Sequence, residues 1–84
     1  MKNITVYSGP SCGFCDAAKR LLGRNNLEYK EIDISTDPNL MGEMINKAGG
    51  KRTIPQIFFE DHHVGGYQEL RELEKSGNLF KSLE

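Results

Sequence analysis

Twice in the first half of the chain a two-residue alternation of apolar side chains gives way to a three-to-four-residue stripe. That repeated switch of period restricts the fold more than any other feature. Residues 3–8 place Ile4 and Val6 on one face and Thr5 and Tyr7 on the other, which reads as a strand. Gly9-Pro10-Ser11 breaks it. From Gly13 to Arg24 an apolar stripe of Phe14, Ala17, Ala18, Leu21 and Leu22 predicts an amphipathic helix, with Ser11 as its N-cap and Gly23 or Asn25-Asn26 as its stop. A second strand is expected over Leu27–Ile34. Asp37-Pro38 then caps and opens a helix that runs to about Ala48, burying Leu40 or Met41, Met44, Ile45 and Ala48, before Gly49-Gly50.

The remainder predicts a strand over Gln56–Glu60, a turn near Asp61-His62, and a short strand at His63-Val64. Gly65-Gly66 follows, then a helix over about Gln68–Ser76, and Leu79, Phe80 and Leu83 suggest a last helical turn packed on the sheet. Strands joined through a helix run parallel with a right-handed crossover, and strands joined by a tight turn run antiparallel. The order β-α-β-α-β-β-α therefore predicts an α/β protein, a four-stranded mixed sheet flanked by helices. That is the thioredoxin arrangement. With 84 residues and no linker or repeat, residues 1–84 are expected to form one domain.

Eleven basic and twelve acidic residues leave a net charge of −1, which gives no reason to expect a nucleic-acid or membrane partner. No apolar run reaches membrane-helix length, and the amino terminus lacks a signal-peptide pattern, so a cytoplasmic location is expected. The two cysteines, Cys12 and Cys15, are too close together for a structural disulfide to restrain the unfolded chain much.

Their chemistry follows from position. Cys12-Gly13-Phe14-Cys15 ends a strand and opens a helix, where unpaired amides and the helix dipole favour a thiolate. A free cysteine titrates near about 8.5, and such placement lowers that to about 3.5–7.5. Cys12 at the helix mouth is the expected nucleophile. Cys15, one turn inside on the same face, is the expected resolving thiol, so the pair forms a redox-active disulfide. The competing reading, half of a zinc site, lacks further ligands. His62 and His63 are adjacent and point apart in an extended segment, so they read as solvated turn residues, and no metal site is expected.

Three segments together resemble the glutaredoxins: Cys12-Gly13-Phe14-Cys15 with Ala18-Lys19, Thr53-Ile54-Pro55-Gln56-Ile57-Phe58, and Gly65-Gly66-Tyr67. The resemblance covers nearly the whole chain. It implies a glutathione-disulfide oxidoreductase with glutathione as reductant and co-substrate and no tightly bound cofactor. Such a protein reduces disulfide-containing or glutathionylated proteins, acts as a monomer, and serves electron transport and cell redox homeostasis.

It also implies a cis bond before Pro55 that turns the Ile54 backbone outward to pair with an extended thiol peptide beside Thr53. Gly66, Tyr67, Gln68 and Glu69 would receive a glutathione carboxylate at a helix start, Gly65-Gly66 allowing close approach. Lys51 and Arg52 would hold the other carboxylate or remain solvated, and Phe14 would flank the glutathione sulfur or join the core. Three departures from the family pattern bear on affinity: Gly9 where a basic residue is common, Gly-Phe instead of Pro-Tyr between the cysteines, and Gln68-Glu69 in place of an acidic pair. Cys-Gly-Phe-Cys also lies one residue from the Cys-Gly-Phe-Ser of cluster-binding monothiol glutaredoxins. A glutathione-ligated [2Fe-2S] carrier is therefore the alternative function.

Overall fold

The computed structural model describes residues 1–84. Its elements are β1 (Ile4–Ser8), α1 (Gly13–Arg24), β2 (Lys30–Asp33), α2 (Pro38–Lys47), β3 (Gln56–Phe59), β4 (His62–Gly65), α3 (Tyr67–Ser76) and α4 (Leu79–Leu83). The sheet order is β2-β1-β3-β4. β1 and β2 pair in parallel, while β3 runs antiparallel to both β1 and β4. This is the thioredoxin fold, a four-stranded mixed sheet with helices on both faces.

Alternation along β1 and β3 sends side chains into two cores. Ile4, Val6, Ile57 and Phe59 pack with Ala18, Leu21, Leu22, Leu70, Leu79 and Leu83 from α1, α3 and α4. Tyr7 and Phe58, on the opposite face, pack with Met44 and Ala48 beside α2. Ala18, Leu21 and Leu22 are fully buried, so the stripe of α1 anchors the helix whose first turn carries the cysteines. Burying each leucine is worth about 1.5–3 kcal/mol.

Several boundaries differ from the sequence reading for local reasons. Residues 27–29 lie outside β2 because the chain there closes α1. Asn26 adopts a left-handed φ of 58°. Its amide and that of Leu27 donate to Gly23 O (3.0 Å) and Leu22 O (3.0 Å), a Schellman ending sealed by the buried pair Leu22 and Leu27. Gly23 lies inside the helix and stops nothing. The hairpin turn is Glu60-Asp61, with Glu60 at φ 52°, so both histidines belong to β4. Met41 is 36% exposed and Phe80 47% exposed, and neither joins the core.

Candidate active site

Ser11 does not cap α1. It takes a left-handed φ of 54° in the turn after β1, and Cys12 itself is the N-cap. Cys12 is therefore extended (φ −117°, ψ 103°) and its side chain swings back over the first turn. The Cys15 amide donates to Cys12 Sγ at 3.2 Å. A cap position usually held by a serine or aspartate oxygen is filled here by sulfur, and an amide aimed at it favours the anionic form. Cys12 and Cys15 are joined in a disulfide with Cα atoms 5.2 Å apart. Cys12 is half-buried and reachable, whereas Cys15 is 1% exposed.

Across from Cys12 the chain enters β3 through Thr53-Ile54-Pro55, with the Ile54–Pro55 bond cis. The Ile54 carbonyl oxygen lies 3.8 Å from Cys12 Sγ. Beside it opens a groove of about 300 Å³ lined by Phe14, Thr53, Ile54, Pro55, Gly66, Tyr67, Gln68 and Glu69. Eight of the ten residues expected around a bound thiol peptide thus meet in one place. The other two, Lys51 and Arg52, are exposed and lie outside the groove wall.

Phe14 leaves the apolar stripe of α1. It is 61% exposed and stacks on Tyr67 at a centroid distance of 5.9 Å, forming one aromatic side of the groove. α3 begins at Tyr67, one residue earlier than expected, with Gly66 as N-cap. The Glu69 side chain folds back, and its Oε1 accepts from the Gly66 amide at 2.7 Å. That amide is consequently already used, which leaves the first-turn amides of Tyr67 and Gln68, two groove-lining residues, without an intrahelical partner. The two glycines also separate in role. Gly65 is buried with φ +123°, and a Cβ there would stand 2.8 Å from Glu69 Oε1. Its need for glycine comes from the chain itself, while Gly66 lines the groove.

Two residues escaped the sequence reading. Gln56 is 1% exposed at the start of β3, and His63 is half-buried on β4, not a solvated turn residue. His63 stacks on Phe58 at 4.9 Å, and its Nε2 lies 2.7 Å from Gln56 Oε1. Burial, then the nearby Lys51 charge, holds the His63 imidazole below its ordinary pKa. The available signal was a glutamine opening an otherwise apolar strand, which must find partners when buried.

A reachable and an enclosed cysteine at a helix mouth, opposite a proline loop on a thioredoxin fold, define a thiol–disulfide oxidoreductase. The glutaredoxin family model matches residues 4–64. Glutaredoxin 1 of Rickettsia conorii is 46% identical over 85 aligned positions, covering 100% of this chain and 83% of that protein. The solution structure of glutaredoxin from Brucella melitensis superposes with a TM-score of 0.85 at 42% identity, covering 99% of this chain and 89% of that one. A crystal structure of a buckwheat glutaredoxin–glutathione complex gives 0.87 at 25% identity, over 98% of this chain and 76% of that one. The chain belongs to the glutaredoxin family.

Proposed function

We propose that this protein is a glutathione-dependent oxidoreductase that reduces glutathione mixed disulfides and protein disulfides. The observation that carries the reading is the placement of Cys12 Sγ, under the Cys15 amide and beside the Ile54 carbonyl, at the edge of a groove of tripeptide size. The buckwheat neighbour, solved with glutathione, supports the choice of ligand.

Chemistry starts from the reduced pair. The Cys12 thiolate attacks the glutathione sulfur of a mixed disulfide. The new S–S bond joins Cys12 to glutathione, and the protein substrate leaves as its thiolate and takes up a proton. A second glutathione thiolate then attacks the bound glutathione sulfur, regenerating Cys12 and releasing oxidised glutathione. With a protein disulfide, Cys12 forms a mixed disulfide with one substrate sulfur. Cys15 then attacks Cys12, the substrate leaves reduced, and two glutathione molecules reopen the resulting bridge. A stabilised Cys12 thiolate is also a good leaving group, which speeds each release step.

The test is a coupled assay with glutathione, glutathione reductase and NADPH. Cys12→Ser is expected to abolish both activities. Cys15→Ser is expected to retain reduction of glutathione mixed disulfides and to lose dithiol reduction of protein disulfides. Full activity of the Cys12→Ser protein would overturn the assignment.

A further inference from the structure

We propose that Gln56 and His63, outside the groove, are positioning residues that fix which way the Thr53–Ile54 peptide faces and so present the Ile54 N–H to the bound thiol peptide. This rests on the glutathione reading above and adds residues to its binding site.

Thr53 O can only accept, and Gln56 Nε2 lies 3.0 Å from it and 3.1 Å from Thr53 Oγ1. The amide of Gln56 must therefore turn its NH₂ toward Thr53 and its carbonyl oxygen toward His63. His63 Nε2 then carries a proton and donates to Gln56 Oε1 at 2.7 Å. Stacking on Phe58 holds the imidazole in that orientation. The three side chains form one directed row of donors, His63 to Gln56 to Thr53, with every buried side-chain polar atom satisfied.

Consequences for the groove follow from peptide planarity. The only cis bond in the chain is Ile54–Pro55, so the unit joining Thr53 and Ile54 is trans. In a trans unit the C=O and the following N–H point in opposite directions. Tying Thr53 O to Gln56 on the α2 side of the sheet therefore aims the Ile54 N–H away, toward the groove that Ile54 lines. That amide has no backbone acceptor within the chain. It is free to donate to a carbonyl of an extended peptide, as in strand addition. Turning the unit over would replace the donor with a carbonyl and set two acceptors against each other.

The test uses His63→Phe, which keeps an aromatic ring on Phe58 but has no donor, His63→Gln, which restores an N–H, and Gln56→Leu. Kinetics are read with a glutathionylated peptide at fixed glutathione. The loss of one anchoring hydrogen bond is expected to raise KM about fivefold in His63→Phe and Gln56→Leu, with kcat unchanged, and His63→Gln is expected to bring KM back. Alkylation of Cys12 by iodoacetamide should keep its wild-type rate. A wild-type KM in His63→Phe overturns the proposal, as does a loss in kcat and alkylation rate together, which marks general loosening of the site.

Because Gln56→Leu removes a buried polar residue, nitrogen-15 NMR of the folded wild type and His63→Phe supplies a measurement that needs no substrate. A protonated Nε2 on neutral His63, with shifted Thr53 and Ile54 amide signals in the variant, is expected. An Nδ1–H tautomer, or unshifted amides, overturns the row of donors. If the wild type shows these NMR features but no saturable glutathione-dependent turnover, the ligand assignment fails and with it the role toward substrate.

Discussion

Ile54 packs directly over Gly9. A Cβ at position 9 would stand 2.8 Å from Ile54 Cδ1. The glycine at this position thus leaves room for the isoleucine side chain of the proline loop. Since Ile54 O is 3.8 Å from Cys12 Sγ, position 9 also neighbours the reacting sulfur through Ile54. Gly9→Lys alone must push the tip of Ile54 aside and is expected to raise KM for glutathionylated peptide. Gly9→Lys with Ile54→Val removes the clashing methyl and adds a cation. It should lower the midpoint of Cys12 alkylation by roughly 0.3–0.5 pH units, the size expected for a solvent-screened charge. Equal KM in the single and double variants would count against the packing account.

The two cysteines should react very differently. In the disulfide form Cys12 has the Cys15 amide and a reachable surface, whereas Cys15 is buried, and reduction is expected to leave this arrangement in place. Iodoacetamide is expected to modify Cys12 first, with a midpoint well below the about 8.5 of a free cysteine, and to modify Cys15 at least about tenfold more slowly. Peptide mapping by mass spectrometry after timed quenching reads both rates. Equal labelling would show that burial of Cys15 does not persist after reduction.

How much of this was legible in the sequence depends on how local each signal is. The strand-to-helix switches, Asp37-Pro38 and the Cys-x-x-Cys motif are read within a few residues, and they placed β1, α1 and α2 to within about a residue. Ser11 misled because its type suits a cap, yet the cap side chain is the Cys12 sulfur one residue later. Leu27 misled because its alternation with Tyr29 looks extended, although its amide closes α1 by bonding to Leu22. Phe14 and Phe80 fit helical stripes and still face outward, since periodicity fixes a side of the helix but not how far the core reaches along it. Gln56 and His63 meet only after β3 and β4 pair, a contact the sequence cannot show without the register.

Gly65 and Glu69 form a second coupled pair. Gly65→Ala places a Cβ at φ +123°, where side chains are strained, and 2.8 Å from Glu69 Oε1. The expected loss is about 2–3 kcal/mol in urea unfolding. Glu69→Ala alone should cost about 1 kcal/mol by freeing the Gly66 amide at the start of α3. Combined, the two should cost less than the sum of the singles, because the clash disappears while the backbone strain remains. Additive losses would place the whole Gly65 requirement in the backbone angle.

Acid sensitivity should appear in two separate windows. His63 is held below its ordinary pKa by burial, with Lys51 from the loop before β3 and the neighbouring His62 also disfavouring its charge and Glu69 from α3 opposing them. The unfolded chain therefore binds this proton at a higher pH than the folded one. The associated stability is present above about pH 6.5 and is lost as pH falls through the folded value. Protonation leaves the Nε2–H bond to Gln56 in place, so the loss reflects charging a half-buried ring. Glu31, lowered first by the Ser8 hydroxyl and then by Lys19, and Glu74, lowered first by Arg24 and then by Asn25, have depressed folded values. Their contribution is present above the ordinary carboxylate range and disappears as pH falls through those lower values. Urea unfolding between pH 7.5 and pH 3 should thus give two declining segments. His63→Gln is expected to flatten only the upper one and Glu31→Gln to change only the lower. An upper segment unchanged in His63→Gln would assign that proton to another group.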